Sequence, residues 1–118
     1  MKNRGLFARL GHAVAGIRIA LQGERSLRTQ LAAALALLVV LVILRPPPVW
    51  WALSIAMTTL VIAAELFNTA LEYLADHLQP RPHPQIKIVK DCAAGAVLIL
   101  SLGALAVGFL MLYALWKG

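Results

Sequence analysis

From Thr29 to Leu44 the chain carries no charged residue, and Arg45-Pro46-Pro47-Pro48 follows at once. Proline lacks an amide donor and pushes its predecessor out of the helical region, so a helix must end there. At 1.5 Å per residue this run rises only about 24 Å, short for a bilayer core, and it is expected to borrow the turn before it. A second apolar run opens at Val49-Trp50-Trp51, where tandem tryptophans suit a membrane interface. It continues to about Leu78, and Pro80, Pro82 and Pro84 break it. A third runs from about Lys90 to Trp116. Ahead of all three, Leu6, Leu10, Val14, Ile17 and Leu21 recur at spacings of three and four, with Arg4, Arg9, Arg18 and Arg25 largely elsewhere on the wheel. Such a basic, apolar-striped helix suits a membrane surface. The expected architecture is an all-α membrane protein in a single domain over 1–118. An N-terminal amphipathic surface helix (1–27) precedes transmembrane helices over 28–45, 49–78 and 90–116, with a loop at 79–89.

Composition makes lipid the solvent. Of the 118 residues 61% are hydrophobic, at a mean hydropathy of +0.81, and so small a soluble domain could not cover that surface. One core built from a chain of this length is thin, so a homo-oligomer is expected. The net charge of +6 would suggest nucleic acid on a soluble protein. Here no stacking aromatics or groove-reading motif accompany it, and nucleic acid is excluded as a partner. Six of the eleven basic residues (Lys2, Arg4, Arg9, Arg18, Arg25, Arg28) precede the first span; Arg45 alone follows it, Arg81, Lys87 and Lys90 lie between the second and third, and Lys117 closes the chain. The positive-inside rule then puts the N-terminus and the loop before Lys90 in the cytoplasm and the C-terminus outside. The N-terminal stretch lacks the compact apolar segment and cleavage site of a signal peptide and is expected to remain in the mature protein. The single cysteine, Cys92, reads as a small packing residue.

The five acids are Glu24, Glu65, Glu72, Asp76 and Asp91. At 100° per residue, Glu65, Asn68, Glu72 and Asp76 fall within about an 80° arc, a polar stripe roughly 16 Å long on the second span. With that span running inward, Asp76 lies near the cytoplasmic surface and Glu65 about three turns deeper. An acid at membrane depth costs at least about 2.5 kcal/mol, so Glu65 should face another helix or a wet cavity. One use of such acids is structural, pairing with Arg25, Arg28, Lys87 and Lys90 to fix helix register; no basic residue in the second or third span could neutralise Glu65. Another use is chemical. A carboxylate stripe ending at the cytoplasmic surface, joined by Glu24 and Lys90, supplies magnesium ligands, a phosphate-binding cation and a deeper base, the parts of a phosphotransferase. No Walker glycine-lysine loop or protein-kinase signature appears, so spacing alone does not establish nucleotide binding.

The segments Ala64-Glu65-Leu66-Phe67-Asn68-Thr69-Ala70-Leu71-Glu72 followed by Asp76, and Lys90-Asp91-Cys92-Ala93-Ala94-Gly95-Ala96-Val97-Leu98, resemble the prokaryotic diacylglycerol kinase and undecaprenol kinase family. Gly16 to Arg28 resembles that family's G-x-x-x-A-x-x-x-E segment, and the likeness covers nearly the whole chain. The resemblance implies a lipid kinase of the bacterial cytoplasmic membrane that uses ATP and Mg2+. Its partners would be a membrane lipid alcohol and the bilayer, and it would form a homotrimer with composite active sites at protomer boundaries. Carried over residue by residue, Glu65 matches the catalytic base, and Glu24 and Glu72 match metal-coordinating carboxylates. Asn68, Lys90 and Asp91 match the polar shell around the phosphates, and Asp76 matches a position for nucleotide binding or structure. Arg18, Arg28 and His83 are candidate contacts for substrate or nucleotide, although His83 reads more readily as a solvated loop residue.

Two departures bear on the lipid. Gln30 stands where the diacylglycerol branch is expected to carry a second interfacial acid, and Lys90 to Leu98 looks more like the undecaprenol branch, a lean toward a polyprenol. His12 and Ala13 stand where polar nucleotide contacts are expected. Trp50, Trp51 and Trp116 read as interface belts, and Ser54 and Ser101 as helix residues bonded to their own backbone. The rival from another class is a small oligomeric proton-coupled transporter using intramembrane Glu65. It would not need Glu24, Lys90 and Asp91 at the interface, and it would turn over no ATP. A non-catalytic scaffold would tolerate loss of every acid.

Overall fold

A computed structural model describes residues 5–118, so Lys2 and Arg4 of the basic leader lie outside the described residues. Four helices follow one another: α1 (Leu6–Gly23), α2 (Arg25–Leu44), α3 (Pro48–Leu78) and α4 (Pro84–Lys117). The last three are long and apolar enough to cross a membrane. α2 begins at Arg25, so the uncharged run does gain a turn, and its 20 residues rise about 30 Å, the thickness of a hydrocarbon core.

Local chemistry sets the breaks. Glu24 adopts an extended conformation (φ −116°, ψ 110°) between α1 and α2, while its N–H still bonds the Ala20 carbonyl. The Arg28 guanidinium donates from Nη1 to the carbonyls of Leu21 (2.6 Å) and Gln22 (3.2 Å), satisfying groups that α1 leaves unpaired at its C-terminus and opposing its dipole. Pro46 bars Arg45 from the right-handed helical region, and Arg45 ends α2 in the left-handed one at φ 49°. Pro48 starts α3 at a position where no amide donor is needed. At α4 the His83 Nδ1 accepts from the Gln85 N–H at 3.1 Å, an N-cap made by an imidazole.

α3 and α4 form an antiparallel hairpin, the most extensive pairing in the chain, with α2 against α3. Buried contacts within one chain are few: Leu27, Leu41, Val61 and Met111 are the main apolar ones. Leu35, Ile43, Ile99, Phe109 and Trp116 stand exposed, a surface that only lipid or further helices can cover. Cys92 is exposed rather than packed. Ser101, expected to bond its own helix, instead accepts from Gln30 Nε2 at 3.3 Å, a polar tie between α4 and α2.

The helices differ in length, and that difference positions the site. α2 matches one bilayer core, and Ser26, its second residue, hydrogen-bonds Glu65. Glu65 is therefore level with the first turn of α2. From there to Leu78, α3 runs on for about 20 Å, and α4 at 34 residues is about 51 Å long, close to the molecule's 54 Å long axis. The α3–α4 hairpin thus projects beyond the start of α2, carrying Glu72, Asp76, Lys90 and Asp91 with it. Trp50, Trp51 and Trp116 gather at the opposite end, where α3 starts and α4 stops.

The Arg28 contacts make a prediction. Arg28→Ala should free two α1 carbonyls and raise amide hydrogen exchange toward the end of α1 about three- to tenfold while leaving α3 unchanged. Unaltered exchange across Leu21–Gly23 and its neighbours would show that the guanidinium does not hold that end.

Candidate active site

Glu65 is the most enclosed titratable group among the described residues, with 2% of its surface exposed. Its Oε1 accepts from Ser26 Oγ at 2.7 Å, and Thr69 donates back to the Glu65 carbonyl at 2.9 Å, fixing the turn that carries it. Among the described residues no cation pairs with it. A buried carboxylate with one neutral donor is costly, and in a membrane protein such a group marks function more often than stability.

One turn outward, Asn68 presents the single buried side-chain polar atom among the described residues that lacks a partner, its Oδ1. A bound molecule or a neighbouring chain is the natural source of the missing donor. Further out, Glu72 on α3 has Glu24 at the α1–α2 break, Lys90 and Asp76 as neighbours close enough to act on its carboxyl electrostatically. Lys90 Nζ binds Asp76 Oδ1 at 2.6 Å, and Lys87 Nζ binds Asp91 Oδ2 at 2.6 Å. Both ion pairs are solvent-exposed, so each contributes little and exchanges readily for another partner. Asp76, Arg81, His83, Lys87 and Lys90 border a cleft of about 600 Å³ at the mouth of the hairpin. A second cleft, about 410 Å³, lies between α1 and α3 and is lined by His12, Ala13, Gly16, Ala20, Thr69 and Tyr73.

The structure thus brings Glu24, Glu72, Asp76 and Lys90 together and sets Glu65 and Asn68 inward of them. Asp91 points to Lys87, one turn earlier on its own helix. Arg18 is exposed on α1; Arg28 is engaged by α1 carbonyls, and His83 caps α4. Ser26 and the Gln30–Ser101 tie escaped the sequence, because periodicity along one helix gives no register against another.

A polytopic membrane protein with three helices able to span and an acidic cluster near the start of α2 is the class that fold and site define. Within that class, the chain belongs to the prokaryotic diacylglycerol kinase family, whose model matches residues 11–112. Membership places it among the prokaryotic lipid kinases. It is similar to the undecaprenol kinase of Bacillus subtilis, 30% identical over 100 residues that cover 85% of this chain and 81% of that protein. It is also similar to the diacylglycerol kinase of Synechocystis, 33% identical over 98 residues, 82% of this chain and 56% of that protein, so it spans little more than half that relative's length.

The neighbouring carboxylates of Glu24 and Glu72 suit a divalent cation, since two like charges close together are unfavourable until something neutralises them. The described residues offer no cluster of three or more acidic, histidine or cysteine ligands, so such a cation would complete its shell with water and substrate oxygens, the habit of magnesium. Adding magnesium to the chelated protein should raise its thermal midpoint. Glu24→Gln should raise the midpoint in chelator and abolish the magnesium response. An equal magnesium response in wild type and variant would remove the cation from this pair.

Proposed function

We propose that this chain transfers the γ-phosphoryl group of MgATP to the primary hydroxyl of a membrane lipid alcohol, and that undecaprenol is preferred over diacylglycerol. One observation carries the proposal: a buried carboxylate, Glu65, level with the first turn of the span α2, lies inward of two neighbouring carboxylates and a lysine. A lipid hydroxyl resides at that depth, and a soluble nucleotide can reach only the outer groups. The lean toward a polyprenol rests on Gln30 in place of an acid and on the likeness to an undecaprenol kinase over 81% of that protein. Nothing in the fold or the family favours a transporter.

In the reaction, the lipid hydroxyl oxygen attacks the γ-phosphorus and passes its proton to Glu65. The new O–P bond forms as the bond to the bridging oxygen breaks, and the electron pair leaves with ADP. Glu65 acts as general base and Ser26 holds its carboxyl group. Lys90 leaves the exposed Asp76 for a phosphate oxygen, and Asn68 orients what lies between the two levels. Glu24 and Glu72 would hold Mg2+, which neutralises phosphate charge when bound. Glu65 then returns the proton to water.

The proposed setting is the bacterial cytoplasmic membrane, with α1 lying on its inner surface, the active site and N-terminus cytoplasmic and the C-terminus outside. A homotrimer is proposed from the family likeness; the extensive exposed apolar surface and the unpartnered Asn68 support an assembly in which neighbours complete the site. If Glu65 and Glu24 serve one site from different protomers, mixing inactive Glu65→Gln and Glu24→Gln proteins should restore labelled lipid phosphate. A mixture that stays dead would assign each site to one chain.

Two glutamates on one face should also separate in kinetics. Glu72→Gln should weaken MgATP affinity as well as turnover. Glu65→Gln should leave that affinity within a few-fold while turnover of labelled ATP with undecaprenol or diacylglycerol falls about 10²-fold or more. The opposite pattern would reverse the assignment, and full turnover in both variants would end the kinase mechanism.

A further inference from the structure

Glu65 has two carboxylate oxygens, and the structure distinguishes them. Oε1 is held by Ser26 Oγ at 2.7 Å across the α2–α3 contact; among the described residues no second side chain donates to this carboxylate. Ser26 follows the Glu24 break by two residues, in the first turn of α2. A serine there commonly turns back to cap its own helix, but this helix shows no side-chain cap, and the hydroxyl reaches across to α3 instead. The bond is charge-assisted when Glu65 is ionised, in a setting where water offers little competition.

We propose that Ser26 is the positioning residue of the general base: its hydroxyl anchors Oε1 so that Oε2 is presented to the acceptor hydroxyl of the lipid. This rests on the lipid kinase function proposed above. A carboxylate at the end of a glutamate side chain turns freely about its last torsion, which is broad and two-fold. With one oxygen tied to α2, the torsion is fixed and the free oxygen keeps one direction. The same bond couples base geometry to the α1–α2 break, since Ser26 moves with the start of α2 and Glu24 lies two residues before it. A shift of the Glu24 end toward a bound nucleotide would therefore also reset Glu65.

The test compares Ser26→Ala, Ser26→Cys and Ser26→Thr in the full-length protein in lipid nanodiscs, with labelled ATP and undecaprenol or diacylglycerol. Ser26→Ala should lower kcat about tenfold while the KM for MgATP stays within about twofold. Ser26→Cys, of similar size but a weak donor, should show the same split, and it carries the test if the alanine variant does not accumulate. Ser26→Thr, which keeps the hydroxyl, should recover kcat to within about threefold. In a Glu65→Gln background, Ser26→Ala should cost nothing further, because a residue acting through Glu65 has nothing left to position. Wild-type kcat in the alanine and cysteine variants, a threonine variant as slow as alanine, or a further tenfold loss on top of Glu65→Gln would each overturn the inference. A wild-type protein that phosphorylates neither lipid would instead overturn the kinase function on which it rests.

Discussion

The bond between Ser26 and Glu65 organises the molecule. It ties the second residue of a 20-residue span to the thirty-one-residue α3, and so sets the register between α2 and α3. Outward of that bond the projecting hairpin carries Glu72, Asp76, Lys90 and Asp91 among exposed apolar residues, and toward Trp50 and Trp116 the exposed surface is largely apolar. Burying a carboxylate there stabilises nothing by itself, because desolvation outweighs a single neutral hydrogen bond. Its retention makes sense if the group is held for use.

The acids divide by environment, and the division parallels their proposed roles. Glu65 is enclosed and, among the described residues, without a cation, an environment that matches its proposed role as base. Glu72 and Glu24 are half-buried neighbours, suited to share a dication. Asp76 and Asp91 are exposed and already paired with lysines, in bonds weak enough to be exchanged when a polyphosphate arrives. A soluble nucleotide and a membrane alcohol could thus meet from opposite sides of one boundary, each against groups matched to it.

Much of this was legible in the chain because helices impose a period and lipid imposes a length. The three apolar runs and the Glu65, Asn68, Glu72, Asp76 stripe follow from counting alone. The structural use of acids weighed beside the chemical one also appears: Lys90 and Lys87 do pair with Asp76 and Asp91. What stayed hidden depends on register between helices. The depth of Glu65 could not be set without Ser26 beside it. The same holds for the Gln30–Ser101 tie, the engagement of Arg28 by α1 and the exposure of Cys92. His83 as an N-cap was hidden for another reason, since imidazole seldom takes that position.

The most direct test is a structure of the protein in lipid with a non-hydrolysable ATP analogue, magnesium and a lipid alcohol bound together. The account predicts the acceptor hydroxyl within hydrogen-bonding distance of the free Glu65 oxygen, magnesium between Glu24 and Glu72, and the γ-phosphate between the two levels. A lipid hydroxyl placed beside Asp76 or Asp91, with Glu65 still sealed against Ser26 and touching no substrate, would contradict it.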